Sequence, residues 1–299
     1  MAFWNSVQDS SDVLLADGFR ALLSARRVPM DETGPDVAGV YLFLADAETF
    51  FVGETFNLKQ TLGRQRHSLH SEFYKDYRRN RGDTNYAIED FALRFIPTQI
   101  CRLELSEYVR AHLARKLRLT GLDENGDYVW SNAVSLWNRI QAVSAELVSA
   151  GGRMALTVDP TATDGRPGED GPGLVIVRAP DDELIHIGES TDISAAYRDH
   201  LRNTCRSEFR QKLGEHVLGL RLRKNSNNMY QFLPEEEKRV SQFVRQCKIA
   251  LVPISAGRGE IRDELINRTR PVLNVSQGKA SLLGISSQFN QRKRRTLFL

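Results

Sequence analysis

Residues 50–58 read FFVGETFNL and residues 185–193 read IHIGESTDI. In both, an apolar, β-rich run breaks at Gly-Glu-hydroxyl and passes through Asn or Asp into a helical pattern. Gly53 and Gly188 lie 135 residues apart, and their surroundings nearly keep that offset. Upstream, Gly39-Val40-Tyr41 stands opposite Gly173-Leu174-Val175. Downstream, Asn57-Leu58 stands opposite Asp192-Ile193, and SEFYKDY from Ser71 opposite SEFRQKL from Ser207. Four blocks in one order, with one-residue slips, are a repeat. Its period is too long for solenoid units of roughly 20–50 residues. The chain therefore reads as two copies of one small domain.

A length of 299 residues suits two domains that each bury a core. The composition, 41% hydrophobic and 26% charged, is that of a soluble globular protein. No apolar run approaches a membrane span and no signal pattern opens the chain, so no membrane partner and a cytoplasmic location are expected. Cys101, Cys205 and Cys247 are scattered and odd in number, which points to reduced thiols rather than a disulfide framework or zinc site.

Each half reads as strand, strand, helix, strand, helix, an α+β pattern with a small, mostly antiparallel three-stranded sheet. Residues 8–27 read as a helix leading into the first domain, 1–149. Residues 150–172 are rich in Gly, Pro, Asp and Thr and read as a linker to the second domain, 173–299. There EHVLGLRLRK, 215–224, reads as a strand.

Net charge is only +3, from 41 Lys and Arg against 38 Asp and Glu, but the cations cluster. Arg78, Arg79 and Arg81 interleave with Tyr74 and Tyr77. Arg198, Arg202, Arg206 and Arg210 recur every four residues, which stacks them on one face if the stretch is helical. A basic run, Arg292–Arg295, closes the chain. Such clusters suit phosphate neutralisation, with aromatics able to stack on bases.

These residues resemble the GIY-YIG nuclease family, over about two-thirds of the chain. The matching segments are GVY…FVGETFNL at 39–58, GLV…HIGESTDI…H at 173–200 and IRDELINRTRPVLNV at 261–275. The resemblance implies two tandem GIY-YIG-like domains and phosphodiester hydrolysis assisted by Mg²⁺. A tyrosine would serve as base, an arginine would stabilise the phosphate, and a glutamate would hold the metal. In the first copy it points to Tyr41, to Glu104 as metal ligand with Glu107 next, and to Asn132 as closing residue. Phe51 replaces the second tyrosine, and Thr61 takes the arginine position with Arg64 one turn on. In the second copy Val175, His186 and Ala196 stand at the two tyrosines and the arginine. Counting back from Asn274 puts Arg262 at the metal glutamate, where its guanidinium is expected to occupy the place of the family's metal or to pair with Glu260 or Glu264.

The first expectation is a nucleic-acid-binding protein, with double-stranded DNA as partner and the second domain inert. An alternative is a Mg²⁺-dependent endonuclease using Tyr41, Arg64 and Glu104. A further alternative is a protein-interaction or assembly module.

Overall fold

The computed structural model describes residues 2–30, 32–45, 48–67, 71–79, 90–114, 136–160 and 170–274. The chain forms two compact units. One contains Met1–Ala150 together with Ser255–Glu260; the other contains Gly151–Ile254 and the chain from Ile261 onward. A cut at the linker therefore does not reproduce the packing, because a six-residue segment from late in the chain belongs to the first unit.

The first unit opens with helices α1 (Ala2–Asp9) and α2 (Ser11–Ser24) in place of one continuous helix over 8–27. The short strand β1 (Val28–Pro29) follows, then the hairpin β2 (Gly39–Ala45) and β3 (Glu48–Thr55). After it come α3 (Leu58–His67), α4 (Glu72–Arg79), β4 (Ala92–Pro97), α5 (Arg102–Ala114), α6 (Leu136–Ala142) and α7 (Ser144–Ala155), which runs on into the second unit from Gly151. The sheet is antiparallel, in the order β1-β4-β2-β3. β1 makes it four-stranded, one strand more than the sequence indicated. Every residue of β2 is buried, as a central strand covered on both faces requires. Tyr41, Phe43, Leu58, Leu62, Phe73, Phe91 and Leu93 form the core on one side, where Phe43 and Phe73 stack with centroids 4.2 Å apart.

The second unit carries β5 (Gly173–Arg178), β6 (Leu184–Ser190), α8 (Ile193–Arg202) and α9 (Glu208–Lys212). A short ribbon of β7 (Arg223–Lys224) and β8 (Tyr230–Gln231) precedes α10 (Pro234–Val244), β9 (Lys248–Pro253) and α11 (Arg258–Thr269), whose first three residues belong to the first unit. Its main sheet is antiparallel with order β6-β5-β9. The 215–224 stretch is not the strand its leucine alternation indicates. A π-type turn spans Leu213–Val217, and Gly219 at φ +64° breaks the run before β7.

The repeat appears in the registers. Gly39 pairs Thr55 and Pro97, while Gly173 pairs Ser190 and Pro253; Tyr41 lies opposite Gly53, and Val175 opposite Gly188. Each hairpin has its irregularity after the fifth strand residue, at Phe43/Leu44 and at Val177/Arg178. No helix among the described residues is long and apolar enough to cross a membrane.

Candidate functional site

The two Gly-Glu-hydroxyl turns set the start of the helix that each hairpin feeds. Thr55 Oγ1 accepts from Asn57 N at 3.0 Å and Ser190 Oγ from Asp192 N at 3.1 Å. Asn57 Oδ1 then accepts from Gln60 N at 2.9 Å and Asp192 Oδ1 from Ala195 N at 2.7 Å. The hydroxyl thus closes the turn, and the residue two further on caps the helix, satisfying an N–H that has no intrahelical partner. Gly53 is needed for another reason, since a Cβ there would collide with the ring of Tyr41 across the hairpin.

In the first unit Tyr41 is buried and its hydroxyl accepts from Gln65 Nε2 at 3.1 Å. Phe51 lies 6.2 Å from it, centroid to centroid. Thr61, at the arginine position, bonds the Thr55 hydroxyl at 2.6 Å, so that position serves the turn. Arg64 is exposed on α3.

Glu104 is only 3% exposed. Its Oε1 accepts from Arg258 N at 2.7 Å, and the Arg258 guanidinium, which also pairs with Glu107, stands 3.8 Å away. Reciprocally, Glu260 accepts from Cys101 N at 3.2 Å and Arg102 N at 3.4 Å, and lies 3.0 Å from Arg102 Nε. Burial first, then the nearby Glu260 charge, pushes the Glu104 carboxyl up to about 7. A Mg²⁺ ligand must be an ionised carboxylate open to the ion. Glu104 is buried and its Oε1 is engaged by Arg258, so it is not open to an ion and does not fit that role. Among the described residues no group of three or more His, Cys, Asp or Glu is arranged to hold a metal.

The strand registers also correct the alignment of the two copies. Counting on from the equivalent Pro97 and Pro253, Arg102 and Glu104 match Arg258 and Glu260. Cys101 matches Gly257, and both sit at left-handed φ, +70° and +83°. The counterpart of Glu104 is therefore Glu260, and the counterpart of Arg262 is Ser106. A Pro-x₄-Arg-x-Glu signal, written at 97–104 and 253–260, is present in the sequence and carries this equivalence, which the family-based count misses.

The second unit holds a cleft of about 550 Å³. Val175, His186, Ala196, Arg262 and Asn274, the five positions singled out by the resemblance, all line it. Asn274 clamps the edge strand: Nδ2 donates to Ile187 O and Oδ1 accepts from Ile187 N, both at 2.7 Å. Arg262 pairs with Asp263, at 2.8 Å from Nη2, and stands 3.9 Å from Glu189. Its partners are thus not the expected Glu260 and Glu264. His186 and His200 lie 6.0 Å apart, both against Phe209. Burial, with a further push from His200, holds His186 down to about 3. Burial and the Arg210 charge hold His200 down to about 4. Both imidazoles are neutral at pH 7. His200 Nδ1 lies 3.0 Å from Ser207 Oγ, whereas His186 Nδ1 and His200 Nε2 are buried with no partner among the described residues.

The basic face divides. Helix α8 ends at Arg202, so Arg206 and Arg210 do not continue it. Arg198, Arg202 and Arg206 are exposed. Arg210 is 1% exposed and bonds the carbonyls of His200 and Leu201, Thr204 Oγ1, Ser241 Oγ and Glu237. It is a structural residue and leaves the exposed basic set. Arg78 is exposed on α4. The Arg79 side chain, Arg81, Asn132 and the Arg292–Arg295 run lie outside the described residues.

No family model matches the chain, and neither a curated protein nor a solved structure matches it.

Proposed function

We propose that the chain is a nucleic-acid-binding protein built from two degenerate GIY-YIG-like domains, neither of which hydrolyses phosphodiesters by a metal-assisted route. The observation that carries this reading is in the second unit. The positions where such a nuclease would keep its two tyrosines and its arginine line one cleft as Val175, His186 and Ala196. Arg206 lines the same cleft, and Arg198 and Arg202 are exposed on the helix that helps form it. In this reading the chemistry has been replaced, and phosphate contact falls to the exposed guanidiniums of Arg198, Arg202 and Arg206 rather than to the cleft floor, whose lining also carries Glu189, Asp192, Asp199, Glu208 and Asp263. Exposed guanidiniums suit a phosphate backbone because their fork matches its oxygens and their binding releases counterions.

The endonuclease alternative needs Glu104 as metal ligand, and its burial against Arg258 argues against that. A plasmid incubated with the full chain and Mg²⁺ or Mn²⁺ is expected to stay supercoiled while shifting on a native gel. Nicking that requires the added metal, and that disappears in Tyr41→Phe, would overturn the proposal.

A further inference from the structure

Residues 219–233, GLRLRKNSNNMYQFL, contain Arg221, Arg223 and Lys224 and no acidic residue. Their two short strands pair Arg223 with Gln231 and Lys224 with Tyr230. The tip is built rather than loose. Asn225 N donates to Met229 O at 2.9 Å, and Asn225 Oδ1 accepts from Asn227 N at 2.9 Å and Met229 N at 3.0 Å. Asn228 takes φ +59°, a conformation that asparagine tolerates.

The base is anchored as well. Phe232 and Leu220 are buried in the core of the second unit, and a Cβ on Gly214 would collide with the Phe232 ring. Arg223 is held by Glu236 at 2.6 Å and by the Arg221 carbonyl at 2.9 Å. Above this base Met229, Tyr230 and Leu233 are 43%, 45% and 49% exposed. The Lys224 ammonium stands 5.3 Å from the Tyr230 ring centroid.

An anchored ribbon that presents an aromatic ring beside cations, with no carboxylate of its own, complements a polyanion with flat bases. A π-face stacks on any base, and a nearby ammonium neutralises the adjoining phosphate. We propose that this ribbon is a direct nucleic-acid contact, with Tyr230 stacking on an unpaired base and Lys224 and Arg221 meeting the flanking phosphates. The proposal rests on the nucleic-acid reading above and names the part of the surface that recognises bases.

The test uses the full chain and a single-stranded 20-mer carrying 2-aminopurine, read by anisotropy and by the base's own fluorescence. Wild-type protein is expected to bind and to quench the 2-aminopurine. Tyr230→Ala should abolish quenching and weaken binding about tenfold, in keeping with roughly 1–3 kcal/mol per stacked base. Tyr230→Phe should retain both signals. Lys224→Ala should keep the quenching but reduce the salt dependence by about one unit, as a lost phosphate contact does. Because Tyr230 and Lys224 are both exposed, the variants should keep the wild-type unfolding midpoint. If wild type binds but neither quenches nor responds to Tyr230→Ala, the ribbon proposal falls and the nucleic-acid reading stands. If wild type does not bind the single strand at all, the ribbon proposal falls, and the nucleic-acid reading is decided by the duplex.

Discussion

Arg210 shows how little a residue's type says about its role. By sequence it is the fourth member of an i, i+4 series of arginines, the pattern of a solvated basic face. In the fold its guanidinium turns inward and bonds the last carbonyls of α8. Those carbonyls have no intrahelical donor, and a charged fork at a helix C-terminus satisfies them and complements the dipole. The break at Asn203–Ser207 is what allows this, since it turns the chain so that Arg210 can reach back. Arg210→Ala should therefore cost about 3–5 kcal/mol, because Glu237 and two carbonyls lose a buried partner. Arg198→Ala should stay within about 0.5 kcal/mol of wild type. Urea melts of the two variants decide the matter; equal stability would place Arg210 back on the surface. Glu104 departs from its expected role for the same reason. A carboxylate at the start of a helix is equally plausible as a metal ligand or as a cap for a distant backbone, and only the fold supplies the distant backbone.

At the level of elements, the paired hairpins and their capped helices were legible because each is local. Short, β-rich apolar runs, and a Gly-Glu-hydroxyl followed two residues later by Asn or Asp, are written within about twenty residues. The ribbon of β7 and β8 was not legible. Leu218, Leu220 and Leu222 alternate like a strand, yet Gly219 at positive φ and the core position of Phe232 override that alternation. The imidazole pair beneath the cleft has a measurable consequence. Both histidines have folded pKa values below the ordinary 6.5, so the folded second unit resists protonation that the unfolded chain accepts. The stability they contribute is present above pH 6.5 and is lost as pH falls toward about 4 and then about 3. Between pH 7 and pH 5 each imidazole should take away about 2 kcal/mol. In His186→Phe the loss over the same interval should shrink by that amount, as read by urea unfolding at the two pH values. An identical pH dependence in variant and wild type would contradict burial of the neutral ring.

At the scale of the whole molecule, the sequence conveyed the duplication and the α+β class but not the way the chain is divided into units. That division turns on Ser255–Glu260, which supplies the acceptor for the first turn of α5 and receives a cap from Glu104 in return. Contacts between residues more than 150 positions apart leave no local periodicity, and only the repeated Pro-x₄-Arg-x-Glu spacing betrays them. The basic surface is likewise a property of the folded chain. Once Arg210 is removed, the exposed arginines of the two clusters among the described residues are Arg78, Arg198, Arg202 and Arg206. The most direct test of nucleic-acid binding is fluorescence anisotropy of a labelled duplex, titrated with the full chain from about 50 to 200 mM salt. If these four guanidiniums meet phosphates, log K should fall against log salt with a slope of roughly −4, and the Arg198→Ala, Arg202→Ala double variant should reduce it by about two units. No binding at micromolar protein in the lowest salt, or a slope unchanged in the double variant, would contradict the account.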